Sequence, residues 1–176
     1  LAAAIQAADD ADVTISNGNA ERVGVMIASG IGGIITISEQ LEVLKEKGPK
    51  RVNPFFIPMM LPDMASGQVS MHLGAKGPSV ATVSACASGA DSLGAAFNAL
   101  QDDQVDMILA GGSEAAVCPI GIAGFNACHA LSTRNDDPQA ASRPFDVDRD
   151  GFVSGEGAAV LVLETMESMI ARGGKP

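Results

Sequence analysis

Apolar and polar positions follow two periods along this chain, and the change from one to the other lays out its elements. Residues Val23-Gly24-Val25-Met26-Ile27-Ala28 are a short, nearly all-apolar run ending in Ser29-Gly30. A run of that kind predicts a strand covered on both faces, as in a parallel sheet. Thr36-Ile37-Ser38-Glu39 has the form of a capping box, with Ile37, Leu41 and Leu44 following at helical spacing. This predicts a helix beginning near Ser38 and stopped by Gly48 and Pro49, with Lys45 and Lys47 suited to its negative end. The chain turns after Asn53-Pro54-Phe55-Phe56, and Met64 to Leu73 predicts a short helix. Ser79 to Ser84 reads as a strand running into Ala85-Cys86-Ala87-Ser88-Gly89-Ala90. Leu93, Phe97 and Leu100 then recur at i, i+4 and i+7, so a helix starts close to Cys86. Val105 to Ala110 predicts another buried strand, closed by Gly111-Gly112. Ala158 to Leu163 is a third apolar run, followed by a helix from Glu164 to Ala171. Strands alternating with helices, with no internal repeat or low-complexity stretch, predict one continuous α/β unit.

Composition narrows the classes open to such a unit. The chain has 176 residues and a mass of 17.8 kDa, enough for one ordinary domain and short for two. Its formal charge is −10 and its pI about 4.4, which excludes a general nucleic-acid binder, because neutralising phosphates needs a basic excess. No apolar run approaches the roughly 18–20 residues of a membrane span. The first twelve residues carry Asp9, Asp10 and Asp12 and no basic residue, unlike a signal peptide. Trp and Tyr are absent, so the core must be built from Ala, Val, Ile, Leu and Met, with 20 Gly allowing close approach. Leu1 and Lys175-Pro176 read as arbitrary cuts, which predicts a segment of a longer protein.

The candidate chemistry is sparse. Cys86, Cys118 and Cys128 form no C-x-x-C pair, and His72 and His129 are the only histidines, so a structural zinc site is not expected. An odd cysteine count without a secretory signal points to reduced thiols in a cytosol-like compartment. Cys86 falls at a predicted strand-to-helix junction among small side chains that permit a sharp elbow. A thiol there faces a helix N-terminus whose free N–H groups and positive dipole stabilise charge on sulfur and can hold an oxyanion. The alternative is that Cys86 is a small core residue, as most free cysteines are. Cys118 and Cys128 have no comparable setting and read as packing residues.

Three other motifs are weaker. Gly30-Ile31-Gly32-Gly33 after a strand invites a dinucleotide-binding reading, but the sixth position is Ile35 and the helix is expected only near Ser38, which favours a close-packed turn. Asp146-Val147-Asp148-Arg149-Asp150-Gly151 copies the first half of a calcium loop. Its twelfth position is Gly157 in place of the bidentate Glu, so a turn is expected and a calcium site is not. Lys45, Lys47, Lys50 and Arg51 form a basic cluster that is either a solvated helix end or a docking patch for an acidic partner. His72 and His129 have no carboxylate or Cys at a diagnostic spacing.

Taken together, several segments resemble the β-ketoacyl-[acyl-carrier-protein] synthases, most closely the type II elongation form. They are Ser84-Ala85-Cys86-Ala87-Ser88-Gly89, Ala110-Gly111-Gly112-Ser113-Glu114-Ala115, Ala130-Leu131-Ser132-Thr133-Arg134-Asn135-Asp136, Ala141-Ser142-Arg143-Pro144-Phe145-Asp146 and Arg149-Asp150-Gly151-Phe152-Val153-Ser154-Gly155-Glu156-Gly157. The resemblance runs from Arg22 onward with order and spacing kept. It implies the three-layer αβα thiolase-like fold, two βαβαβαββ halves related by pseudosymmetry. Residues 1–176 would be a single segment of the N-terminal half, with the C-terminal half outside the chain.

What the resemblance implies about the site is specific. Cys86 is the nucleophile and its own N–H one oxyanion donor. Ile31 and Phe125 line the acyl pocket, with Gly121 on its wall. Lys50 and Arg51 match basic positions that meet the acidic acyl carrier protein. The two histidines of the family's Cys-His-His set lie outside the chain; neither His72 nor His129 matches them, and His129 stands where relatives often carry Arg. No redox or metal cofactor is needed. The strand entering the elbow, Ser79 to Ser84, pairs with its two-fold mate in a homodimer, and Ile57-Pro58-Met59-Met60 reaches toward the neighbour's pocket. The implied reaction loads an acyl chain on Cys86 and condenses it with malonyl carrier protein, in fatty acid synthesis. The compartment would be a bacterial cytosol, or a plastid or mitochondrial matrix. The alternatives are the ketosynthase subunit of an aromatic type II polyketide system, from which Gly124-Phe125 and the Ala-Leu-Ser-Thr run point away, and a non-catalytic chain-length factor, which lacks the thiol. The segment without its histidines is expected to be inactive alone.

Overall fold

A computed structural model describes residues 1–175. Four strands form one sheet in the order β2-β1-β3-β4, where β1 is Val23–Ala28, β2 is Ser79–Val80, β3 is Met107–Glu114 and β4 is Gly157–Glu164. The first three are parallel, and β4 returns antiparallel to β3. The helices are α1 (Ala2–Asp10), α2 (Ile34–Lys47), α3 (Phe56–Met60), α4 (Met64–Leu73), α5 (Ser88–Gln101), α6 (Pro119–Ala127) and α7 (Met166–Ala171).

Strand periodicity sorts the core into two layers. Val23, Val25, Ile27, Met107 and Leu109 point to one face and pack with Ala4 and Ala8 of α1 and Val69 of α4. Met26, Ile108 and Ala110 point to the other and pack with Ala96 and Ala99 of α5. All six residues of β1 are buried, as its unbroken apolar run predicts. Arg172 ties the two chain ends together: its Nε donates to Glu164 Oε2 at 2.9 Å and its Nη1 to the Ala11 carbonyl at 2.8 Å.

The structure departs from the periodicity reading at five places, each with an identifiable physical cause. Helix α2 begins at Ile34, not near Ser38, so Thr36 to Glu39 lie inside it and form no cap. Its N-cap is Gly33, where any Cβ would run into the Met59 carbonyl and Met60 Cα of α3. The expected strand from Ser79 to Ser84 keeps only its first two residues. Beyond them the Ser66 hydroxyl is inserted between the strands: Ile27 N–H donates to it at 2.7 Å, and it donates to the Val80 carbonyl at 2.7 Å. That hydroxyl takes the place of the next ladder bond. Gly111-Gly112 do not close β3 but lie within it, paired with Val160 and Ala159. A Cβ on Gly111 would collide with the Ala159 carbonyl, so the glycine serves strand approach and not a turn. On α5 the buried stripe is Ser88, Ser92, Ala96 and Ala99, while Phe97 is exposed. Small residues let the helix sit close enough for the Ser92 hydroxyl to donate to the Met26 carbonyl of β1. Finally, Glu164 remains in β4, and α7 starts after Thr165, whose side chain accepts the Ser168 N–H at 3.2 Å.

Candidate active site

Cys86 lies in a single 3-10 turn, Ala85–Ala87, between the end of β2 and the start of α5. The turn is sharp because Ala85 adopts φ +53°, a left-handed conformation that an alanine rarely holds. Ser88 supports it: its hydroxyl donates to the Ala85 carbonyl at 2.6 Å and accepts the Ser84 N–H at 2.9 Å. Thr82 adds a bond from its hydroxyl to the Ser88 carbonyl at 2.9 Å. Gly30, from the loop after β1, meets the elbow from the other side, where a Cβ would stand only 3.0 Å from the Ala85 carbonyl oxygen. The elbow is therefore gripped from both sides, and Cys86 is left exposed at its apex.

The thiol residue borders a cavity of about 670 Å³ whose lining includes Ile31, Ala116, Phe125 and Phe152. Two of the residues expected at an acyl pocket, Ile31 and Phe125, are thus brought together with Cys86. Gly121 is not part of this lining; it is buried in α6 with its Cα against the Ala116 carbonyl. Phe152 was not anticipated. Its ring meets that of Phe125 edge to face, with centroids 5.3 Å apart and planes at 79°. Phe152 is held there by backbone bonds, donating to the Ala130 carbonyl at 2.9 Å and accepting from Ser132 N–H at 3.0 Å. Nothing in its local spacing distinguishes it from a core aromatic.

The glycine-rich turn carries no phosphate cradle, because its amides are already occupied. Gly30 N–H and Ile31 N–H donate to Glu114 Oε2 at 2.8 and 3.0 Å, and Gly32 N–H donates to Ser29 Oγ at 2.9 Å. The calcium-like loop is likewise satisfied from within. Asp150 accepts from the Ser132 hydroxyl at 2.6 Å, from Thr133 N–H at 3.0 Å and from Arg143 at 3.3 Å. These bonds, the Ser132 hydroxyl first and the Thr133 amide second, hold the Asp150 carboxyl below its ordinary range. Among the described residues no cluster of His, Cys, Asp or Glu could hold a metal ion.

Neither histidine lines the Cys86 cavity: His72 is exposed on α4, and His129 follows α6 in a left-handed conformation with φ +57°. Cys118 is half-buried, and Cys128 is exposed with its sulfur 3.2 Å from the Phe125 carbonyl. Lys50 and Arg51 project from the short 3-10 turn Pro49–Arg51 just after α2, exposed and without an ion-pair partner among the described residues. No helix among the described residues is long and apolar enough to cross a membrane.

A three-layer αβα sheet that presents a thiol on a strained strand-to-helix elbow over an apolar cavity defines a thiolase-like half-domain. The chain belongs to the β-ketoacyl synthase family: the model described as "Beta-ketoacyl synthase, N-terminal domain" matches residues 1–168. It is 50% identical over 175 residues to 3-oxoacyl-[acyl-carrier-protein] synthase 2 of Synechocystis and 53% identical over 173 residues to that of Staphylococcus aureus. These alignments cover 99% and 98% of the chain but 42% of each relative, so the chain spans less than half the length of the curated relatives it matches. Among solved structures, a β-ketoacyl synthase from Burkholderia phymatum aligns with TM-score 0.89 at 36% identity, covering 99% of this chain and 43% of that one. A ketosynthase solved with a type II polyketide acyl-carrier protein and bound to a hexaketide aligns with TM-score 0.86 at 34% identity, covering 98% and 44%.

Proposed function

We propose that the intact protein of which these residues form the N-terminal half is a condensing enzyme of fatty acid synthesis. The observation that carries this reading is the placement of Cys86 on the gripped elbow beside the cavity walled by Ile31 and Phe125. The Cys86 thiolate attacks the thioester carbonyl of an acyl-loaded carrier protein. The helix-start N–H groups, Cys86's own among them, hold the oxyanion, and the carrier's thiol leaves, so the acyl chain is now on Cys86. Malonyl carrier protein then loses carbon dioxide, and the electron pair of the broken C–C bond attacks the Cys86 thioester. The Cys86 thiolate departs, and the product is a 3-oxoacyl carrier protein two carbons longer. The two histidines that promote decarboxylation belong to the half beyond this chain, so condensation is a property of the intact protein alone. No metal or redox cofactor enters any step.

Lys50 and Arg51 dock the acidic carrier, and the exposed Ser79–Val80 edge of β2 meets a second copy across a two-fold axis. A bacterial cytosol, or the corresponding organelle matrix, suits substrates that are all carrier-bound thioesters. A polyketide ketosynthase is the second reading, supported by the 0.86 TM-score to one; the identity of 34% to it against 50–53% to the synthases favours fatty acid elongation. The test is peptide-mapped mass spectrometry of the intact protein after limiting acyl carrier protein. An acyl adduct on Cys86 that is discharged by malonyl carrier protein is expected. An adduct on Cys118 or Cys128, or none on Cys86, sinks the assignment.

A further inference from the structure

Glu114 is a carboxylate with no part in the chemistry just described, yet it stands at the wall of the Cys86 cavity. It ends β3, beside the loop that leaves the neighbouring strand β1. Its Oε2 accepts two consecutive backbone N–H groups, Gly30 at 2.8 Å and Ile31 at 3.0 Å, and its Oε1 accepts the Ser29 hydroxyl at 3.3 Å. Ser29 Oγ in turn accepts Gly32 N–H at 2.9 Å. Three successive amides of this turn are therefore fixed directly or indirectly by one side chain. Beyond it the Gly33 N–H donates to the Met60 carbonyl at 3.1 Å, so Glu114 is the side chain from outside the turn that fixes its start, and the turn carries two parts of the site. Ile31 borders the cavity, and Gly30 abuts the carbonyl of Ala85, the strained residue that sets Cys86.

We infer that Glu114 is a positioning residue, an internal anion that fixes the Ile31 wall against the Cys86 elbow and so sets which acyl lengths reach the thiol. The inference rests on the acyl-transfer reading of Cys86. A carboxylate oxygen accepting two adjacent N–H groups determines the path of the backbone, and hence where the Ile31 side chain stands in the cavity. Glutamine keeps an acceptor oxygen at the same reach, whereas alanine leaves the Gly30 and Ile31 amides to find other partners.

The experiment measures single-turnover acylation of Cys86 in the intact protein, using short-chain and long-chain acyl carrier proteins, for the wild type, Glu114→Gln and Glu114→Ala. The readout is the ratio of the two rate constants. A variant that merely folds less well lowers both rates together and leaves the ratio unmoved. In Glu114→Ala the ratio is expected to shift by about tenfold, the scale of a sub-ångström to ångström displacement of a positioning wall. Glu114→Gln is expected to retain the wild-type ratio to within a factor of about two, because one acceptor oxygen suffices for the paired N–H groups. Ser29→Ala, which removes the Gly32 acceptor and the hydroxyl bond to Glu114 Oε1 but leaves the Gly30 and Ile31 amides on Oε2, is the second variant, with a smaller shift in the same direction; no shift there overturns the inference should Glu114→Ala prove insoluble. An unchanged ratio in Glu114→Ala, or a Gln variant that behaves like Ala, overturns it as well. A wild type that never acylates Cys86 defeats the acyl-transfer reading and this inference with it, whereas an acylated wild type with an unmoved ratio defeats the inference alone.

Discussion

Ala85 at φ +53° is the residue on which the site turns, since a non-glycine in the left-handed region persists only where its surroundings enforce it. Ser88 on one side and Gly30 on the other supply that enforcement. Cys86 at position 86, flanked by Ala85 and Ala87, was legible in the sequence because small side chains before a helical repeat imply an elbow. Glu114 and Phe152 were not legible as partners of the site, because their contacts span some 84 and 27 residues of chain that no local period connects. Ile31 is the residue to test for steric control of chain length. Ile31→Phe adds bulk to the cavity wall and should cost roughly 1–3 kcal/mol for binding long acyl chains, with little change for short ones. Loading rates with carrier proteins bearing each length check this, and equal losses would count against a pocket wall.

Between the elements, side chains decide where ladders and helices stop. Ser66 is fully buried on α4 and ends the β1–β2 pairing by taking the Ile27 N–H itself. Ser66→Ala leaves that buried donor and the Val80 carbonyl without their partner. The expected loss is about 1–3 kcal/mol of stability, read from the denaturation midpoint of the intact protein. An unchanged midpoint would mean that the strands re-pair without the hydroxyl. The same scale governs the basic turn after α2. Under the function proposed above, a chain of net charge −10 that docks an acidic carrier needs a local positive patch, and Lys50 and Arg51 are exposed there and without an ion-pair partner among the described residues. Changing both to Glu should slow carrier-protein association and weaken its salt dependence while leaving small thioester substrates nearly unaffected. Equal loss on both substrate types would make the patch structural.

At the level of the whole molecule, long-range ion pairs close the sheet at one end. Arg22, just before β1, donates to Asp106, just before β3, through Nε at 3.2 Å and Nη2 at 2.7 Å. The guanidinium lowers the Asp106 carboxyl from its ordinary value, chiefly through its hydrogen bonds, which outweigh the opposing effect of burial, with the charge of Arg22 adding a smaller lowering. A carboxyl lowered on folding stabilises the fold above its unfolded value of 3.8 and loses that contribution as pH falls through the lower folded value. Because Asp106 is almost half exposed, solvent screens the pair, and the effect should be modest. Acid denaturation of Asp106→Asn should therefore show a shallower decline than the wild type as pH falls below 3.8, with the difference vanishing once the folded-state carboxyl is protonated. Parallel curves would assign the acid sensitivity elsewhere.

Much of this arrangement is a local matter, and the sequence alone determined it. A short, nearly all-apolar run bounded by turn residues suits a strand covered on both faces, and β1 spans Val23–Ala28 as that run predicts; Met64–Leu73 is likewise the helix its residues imply. The motif order alone was enough to place the chain in the family that its 1–168 match defines. Tertiary structure decided what depends on a neighbour remote in the chain. Gly111-Gly112 look like a turn until the Ala159 carbonyl occupies the space of a Cβ, and of the Leu93-Phe97-Leu100 face Leu93 and Leu100 do pack at the edge of the core, but Phe97 is left exposed and the fully buried stripe is Ser88, Ser92, Ala96 and Ala99. Thr36-Ile37-Ser38-Glu39 look like a cap until the helix is found to start after Gly33, where α3 approaches too closely for any Cβ. In each case, periodicity reports which residues avoid water, while the distance between two backbones, set by elements far apart in sequence, decides which of them can fit.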